Sequence, residues 1–142
     1  MPGGRRSPIP LRNAGQRPAD AVDVTILVDN SVDLLLTNER AAQRAPLHHD
    51  WSERDQLIAE HGYSLLLTIH ANGRTESILY DAGLGRHTIV HNMDVLGLNP
   101  RDLRTVVLSH GHADHHGGLE GLYGRVSRRG MPLVLHPDAW RE

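Results

Sequence analysis

The stretch LSHGHADHHGGL, residues 108–119, contains the side chains best suited to chemistry. Four histidines and one aspartate fall within seven residues, from His110 to His116, and two glycines follow. The chain contains no cysteine, so any metal must be held by His, Asp and Glu. Imidazole and carboxylate ligands suit zinc, iron or manganese. The stretch therefore predicts a divalent metal site, with zinc, iron and manganese as the candidate ions.

The spacing divides these side chains into two pairs. Side chains alternate along a regular strand, so such close neighbours face one point only in a loop. In a loop, His110 and His112 can bind one ion, while Asp114 and His115 project to a neighbouring position. Two histidines are too few for a tetrahedral site. The second pair therefore suggests a two-metal centre, in which ions about 3.5–4 Å apart share a hydroxide.

Strands and helices must position this loop. Asn72-Gly73 predicts a hairpin turn, because both central residues of a type I′ turn need positive φ. Ser52 predicts the start of a short helix that ends before Gly62. Predicted strands lie at 21–30, 63–70, 75–81, 104–109 and 131–136, and predicted helices at 86–98, at Asn99-Pro100, after Gly117-Gly118 and from residue 137 onward.

This order of elements predicts a mixed α/β (α+β) fold. Residues 104–109 are apolar on both faces, which is typical of an interior strand. The histidine-rich segment 110–118, called the metal loop below, follows this strand directly. Residues 1–20 are rich in Pro, Gly and Arg, so we expect a disordered tail followed by one domain over residues 21–142.

Composition limits the classes of partner. The formal net charge is -2 over 142 residues, which argues against a nucleic-acid-binding surface. No run of 18 apolar residues exists to span a membrane, and no secretory signal is evident. We therefore expect a cytoplasmic enzyme with a small-molecule substrate. Isolated histidines are more simply surface or hydrogen-bonded residues: His48, His49, His70, His87 and His91.

Two motifs resemble a known family. SHGHADHHGGL resembles the metal loop of the metallo-β-lactamase-fold hydrolases, and ILYDAGLG (78–85) resembles an earlier motif of that superfamily. Together with EHGYSLLL (60–67) and LVLHPDAWR (133–141), they resemble the branch related to 7,8-dihydropterin-6-methyl-4-(β-D-ribofuranosyl)aminobenzene-5′-phosphate synthase. The resemblance covers residues 22–142 and implies the N-terminal half of an αββα sandwich.

The resemblance implies roles for individual residues. His110 and His112 would bind the first metal, and Asp114 and His115 the second. Asp114 would also orient the nucleophilic hydroxide. Asp81 would support the loop and a ligand imidazole through hydrogen bonds.

Four further residues lie near these motifs. His116 stands where the family pattern has a small residue, so we place it outside the ligand set. His136 is expected to pack or hydrogen-bond rather than bind metal. Asp29 and Asn30 are expected to border the pocket, with a purely structural role as an equal alternative.

The implied function is metal-dependent hydrolysis, or a related transfer, at a small ester, phosphate or lactone-type substrate through a dinuclear metal-bound hydroxide. The family needs further ligands, two histidines and an aspartate, from its second half. The chain ends at Glu142 without them. We therefore expect a fragment, a truncated gene or a partner that complements the missing half. The alternative is a non-catalytic metal-binding or interaction module that self-associates through an uncovered sheet face.

Overall fold

The computed structural model describes residues 18–45, 50, 52–126 and 130–139, and these form a five-stranded mixed sheet with helices on one face. Strands follow one another in the sheet in chain order. The first three strands pair antiparallel, and the third, fourth and fifth pair parallel. The elements are β1 (Ala21–Val28), β2 (Ser64–Ala71), β3 (Arg74–Tyr80), α1 (Thr88–Val95), a 3-10 turn (Pro100–Asp102), β4 (Leu103–Val107), α2 (Ala113–His116), α3 (Leu119–Val126) and β5 (Leu133–Val134). The predicted α+β class is confirmed.

The hairpin between β2 and β3 is the one that the sequence predicts. Asn72 has a φ of 53° and Gly73 a φ of 72°, so both lie in the left-handed region that a type I′ turn requires. The register pairs Ala71 with Arg74 next to the turn and Leu65 with Tyr80 at the far end. This turn therefore fixes which residue of β3 stands at the end of the strand.

The hydrophobic core lies between the helices and one face of the sheet. Leu79 of β3 and Val106 of β4 are fully buried there. Ile89 and Met93 of α1 and Leu122 of α3 pack into the same cluster. Removing such side chains from water stabilises a fold by about 1.5–3 kcal/mol each. This core holds α1 and α3 against β3, which leads to Asp81, and β4, which leads into the metal loop.

The opposite face of the sheet is apolar and exposed within the described ranges. Val24 and Ile26 of β1 are 58% and 56% exposed, and Val134 of β5 is 53% exposed. The register places Val24 beside Leu67 and Leu67 beside Ile78, so the apolar surface continues across three strands. The structure thus has one packed face and one apolar face open to contact.

The predicted helix from Ser52 to Gly62 is wrong. Residues 52–54 form a turn, and residues 55–60 have no regular structure. The buried side chain of Asn92 instead satisfies both backbone groups of Ile58, at 2.9 Å each, and also donates to the Leu27 carbonyl at 2.7 Å. These tertiary hydrogen bonds take the place of a helical ladder and tie the segment to α1 and β1.

The C-terminal elements are shorter than predicted. The strand predicted at 131–136 is limited to Leu133–Val134, and residues 137–139 form a turn where we expected the start of a helix. The predicted tail lies outside the described residues up to position 17. No helix in the described ranges is long and apolar enough to cross a membrane.

Candidate metal centre

Three parallel strands deliver the candidate residues to one edge of the sheet. Asp81 follows β3, Ser109 and His110 follow β4, and His136 follows β5. The carboxyl ends of neighbouring parallel strands meet at the same edge, where α/β proteins commonly bind ligands. The parallel pairing therefore brings together residues that lie far apart in the sequence.

Asp81 is the buried centre of the site. Its side chain is 1% exposed, and its backbone has a φ of 58°. Oδ1 accepts from the backbone N–H of Ser109 at 2.8 Å, and Oδ2 lies 2.7 Å from both the Ser109 hydroxyl and Nδ1 of His115. A buried carboxylate needs such partners to offset its desolvation. Asp81 therefore links the end of β3 to the metal loop.

The contacts around Asp81 orient two imidazoles. His115 places Nδ1 on Asp81, which assigns the ring proton to Nδ1 and leaves the lone pair of Nε2 available. The Ser109 hydroxyl also lies 2.9 Å from Nδ1 of His110. When that hydroxyl donates to Asp81, its oxygen accepts the Nδ1 proton of His110, and Nε2 of His110 is left available.

The four predicted ligands gather around these oriented rings. The ring centroid of His110 lies 4.6 Å from that of His112 and 4.1 Å from that of His115. Oδ2 of Asp114 lies 3.4 Å from Nε2 of His115. Asp114 and His115 stand on the single turn of α2, where we expected an irregular loop.

The chemistry of this donor set fits part of a divalent-metal centre. Imidazole nitrogens and a carboxylate oxygen converge, and hydrogen bonds hold two of the rings in the ligand-ready form. Within the described ranges, however, no group of three or more His, Asp or Glu side chains is arranged to hold an ion. The described residues therefore do not form a complete metal site.

Backbone contacts hold α2 and the following turn against the residue pairs that follow β3 and precede β2. The Ala82 N–H donates to the carbonyl of His115 at 2.7 Å, and the Tyr63 N–H donates to that of Asp114 at 3.2 Å. At Gly118, a Cβ would stand 2.1 Å from the Ala82 carbonyl oxygen. Only glycine permits this close approach, which explains the glycine pair after the histidines.

A cavity of about 340 Å³ opens beside His110 and His112. The turn at 136–139 forms its other wall, and a Cβ at Gly111 would stand 1.4 Å from the Ala139 carbonyl oxygen. The tight packing at Gly111 therefore holds this wall against the metal loop. The cavity is lined by Ser109, His110, Gly111, His112, His136, Asp138 and Ala139.

Asp29 and Asn30 contact the chain at Glu60 and Gly62 rather than at the cavity beside His110. The Asp29 carbonyl accepts from the Glu60 N–H at 3.2 Å, and Oδ1 of Asn30 lies 3.4 Å from the Gly62 nitrogen. These contacts support the segment that leads into β2, and neither residue lines the cavity beside His110. Their expected place at the pocket border stays a prediction.

The isolated histidines have ordinary surroundings where they are described. His70 contacts Asp23 at 2.8 Å, and His91 contacts the Gln56 carbonyl at 2.7 Å, which confirms the hydrogen-bonded interpretation for both. His87 is exposed at the start of α1. His48 and His49 lie outside the described residues.

Sequence reasoning missed two residues that shape the site. Ser109 connects Asp81 to His110, and its position directly before the first histidine was the available signal. Glu60 accepts hydrogen bonds from the N–H groups of Leu84 and Gly85 at 2.9 and 2.8 Å and from the Thr88 hydroxyl at 2.7 Å. No local sequence pattern reveals these hydrogen bonds, because the donors lie more than twenty residues away from Glu60 along the chain.

Comparison with known proteins gives the class of this α+β domain. The family model described as "Metallo-beta-lactamase superfamily" matches residues 57–140, which is more than half of the chain. The chain therefore belongs to the metallo-beta-lactamase superfamily. The match includes Asp81, the histidine loop and the turn after β5.

Individual relatives are longer proteins. The chain is 32% identical over 114 residues to 7,8-dihydropterin-6-methyl-4-(beta-D-ribofuranosyl)-aminobenzene-5'-phosphate synthase of Methanocaldococcus jannaschii, covering 80% of this chain and 35% of that protein. The chain spans about a third of the length of the curated relatives it matches.

Solved structures were also found. Rm3 metallo-beta-lactamase is 28% identical with a TM-score of 0.44, over 58% of this chain and 29% of that one. A Cronobacter sakazakii metallo-beta-lactamase is 31% identical with a TM-score of 0.40, over 51% of this chain and 27% of that one. Family membership rests on the family model.

Proposed function

We propose that this chain carries the N-terminal part of the active site of a metal-dependent hydrolase, or related transferase, acting on a small ester, phosphate or lactone-type substrate. The observation that carries the proposal is the network in which buried Asp81 orients His115 directly and His110 through Ser109. A purely structural carboxylate would not need to leave two imidazole nitrogens available toward one cluster. Membership of the metallo-beta-lactamase superfamily supports the same chemistry.

The residues divide into two donor pairs. His110 and His112 would hold one zinc ion, and Asp114 and His115 would hold a second, with iron or manganese as alternative metals. When bound, the ions would polarise the electrophilic oxygen of the substrate and lower the pKa of a coordinated water toward about 7. Because the chain spans about a third of its curated relatives, the remaining ligands are proposed to come from further sequence.

The chain's own side chains would orient the reactants. Asp114 is 24% exposed, so its carboxylate can accept a hydrogen bond from the attacking water and fix the direction of its lone pair. Asp81 would hold the ring of His115 throughout. The cavity beside His110 lies at the lower end of the 300–1,000 Å³ typical of sites for small ligands.

The printed name of the curated relative adds a second reaction type. That protein is named a synthase, so transfer to an acceptor other than water belongs to the proposal alongside hydrolysis. Product analysis in the presence of an added alcohol or amine separates the two. A product that contains the added acceptor indicates transfer, and its absence during turnover indicates hydrolysis.

The proposal is tested by turnover of a generic aryl phosphodiester and an aryl lactone with zinc, by the chain and by the chain joined to a second half that carries the missing ligands. We expect Asp114→Asn to lower turnover by more than about 100-fold, beyond the effect of residues that only support a ligand. His116→Ala should stay within a few-fold of the parent. Equal losses in the two variants would contradict the assignment of Asp114.

The second candidate is a non-catalytic metal-binding or self-associating module. Two observations favour it: the incomplete ligand sets in the described ranges and the exposed apolar face that includes Val24 and Ile26. This candidate predicts zinc binding that depends on His110 and His112, but no turnover by the joined protein. Turnover that depends on Asp114 would exclude it.

A further inference from the structure

We propose that His61 is an additional metal ligand, which joins Asp114 and His115 to make three donors at the second metal position. This inference rests on the proposed function. His61 lies outside the segment 110–116 that holds the four predicted ligands, so it is an addition to that set.

The first argument is the spacing of the donor atoms. Oδ2 of Asp114 lies 3.5 Å from Nε2 of His61 and 3.4 Å from Nε2 of His115. Two ligand atoms that each lie about 2.0–2.2 Å from one tetrahedral ion are about 3.3–3.6 Å apart. Both distances exceed the 2.7–3.2 Å of an N–H···O hydrogen bond. The pairs are therefore spaced like neighbouring ligands rather than like hydrogen-bonding partners.

The second argument is the fixed backbone beneath the ring. Gly62 has a φ of 150°, and a Cβ there would stand 2.7 Å from the Asp114 carbonyl oxygen. On the next residue, the Tyr63 N–H donates to that same carbonyl. On the other side of His61, the carboxylate of Glu60 is held by three donors of the 84–88 loop. The segment is thus fixed on both sides of His61, to the 84–88 loop through Glu60 and to α2 through Gly62 and Tyr63.

The third argument is the freedom of the side chain itself. The side chain of His61 is 77% exposed although its backbone is clamped. Although each of the two pairs is suitably spaced, no three donors in the described ranges are placed together to hold an ion, so binding at all three requires the ring of His61 to move. An exposed imidazole changes rotamer at little cost. A clamped backbone with a mobile donor suits a ligand that closes on its ion.

The inference is tested by zinc titration of the parent chain, His61→Ala and the control His87→Ala. His87 is an exposed histidine outside the site, so its replacement removes one imidazole with no change near Asp114. We expect His61→Ala to weaken the binding of one zinc ion by more than about 100-fold, the upper limit typical of residues that only support a ligand. His87→Ala should bind as the parent does.

A second readout separates a ligand from a supporting residue. NMR of isotope-labelled histidine rings should show Nε2 of His61 shifting on zinc addition, with the shift lost in Asp114→Asn. Unchanged affinity in His61→Ala, or weakened affinity without a shift at Nε2 of His61, would overturn the inference. If instead His110→Ala and Asp114→Asn also leave zinc binding unchanged, the proposed function fails as well.

Discussion

Oδ2 of Asp81 lies 2.7 Å from Nδ1 of His115, although 34 residues separate them in the sequence. The contact exists because β3 and β4 are parallel neighbours whose carboxyl ends meet. Through this contact, the buried carboxylate of Asp81 determines which ring nitrogen of His115 faces Asp114. The position of Asp81 at the end of β3 therefore controls the metal loop without itself facing the cavity.

Replacing Asp81 with asparagine should weaken zinc binding by about 10–100-fold, the usual cost of losing a residue that orients a ligand. The amide keeps the shape but loses the negative charge that favours the Nδ1 proton on His115. Competition against a chromogenic chelator measures the affinity. Asp94→Asn is the matched control, because Asp94 is an exposed aspartate paired with Arg125. Parent-like affinity in Asp81→Asn would show that the network does not orient the ligands.

Glu60→Ala should lower the free energy of unfolding by about 1–3 kcal/mol, because two backbone N–H groups and the Thr88 hydroxyl lose a charged acceptor. Glu60→Gln keeps one acceptor oxygen and should recover most of the stability. Denaturant titration gives the free energy, and amide exchange at Leu84 and Gly85 should quicken in the alanine variant. Glu76→Ala, on an exposed part of β3, is the control. Slow exchange at both amides in Glu60→Ala would show that the Glu60 carboxylate does not accept their hydrogen bonds.

Gly118→Ala should destabilise the chain by about 1–3 kcal/mol through overpacking, since a Cβ there would collide with the Ala82 carbonyl. Gly124→Ala is a matched control on α3, where a Cβ would meet nothing within 4 Å. That change should stabilise the helix by about 0.5–1 kcal/mol. Thermal unfolding of the two variants should thus shift in opposite directions. Shifts in the same direction would mean that the contact at Gly118 is not tight.

The exposed apolar face of the sheet, which includes Val24 and Ile26, should make the chain self-associate with a second copy. Two copies present the same uncharged patch, and a net charge of -2 offers little repulsion between them. Val24→Glu should shift the sedimentation profile toward the monomer, and Thr75→Glu, on the opposite face, should not. A monomeric parent would contradict the prediction. Dissociation by an added second half of the family fold would identify that half as the preferred occupant.

Much of the site could be predicted from sequence because its residues are local. His110, His112, Asp114 and His115 lie within six residues, so one loop brings them together whatever surrounds it. The hairpin at Asn72-Gly73 was equally local. Asp81 was reached only through the resemblance to a family, since a strand-end aspartate is also a common turn residue.

The parts that were missed depend on contacts between distant segments. The helix expected after Ser52 does not form, because Asn92 takes the backbone groups of Ile58. From the sequence, Glu60 resembles a surface residue, but in the structure three donors of the 84–88 loop bind its carboxylate. His61 likewise looks like an isolated histidine until Gly62 and Tyr63 press it against α2.

The central claim is that the histidine loop binds divalent metal, and the most direct measurement is the zinc content of the purified chain after dialysis. The parent should retain zinc weakly, because His110 and His112 supply only two ligands to their ion, and the double variant His110→Ala, His112→Ala should retain less. His87→Ala should retain as much as the parent. Equal zinc in the parent and the double variant would contradict the account.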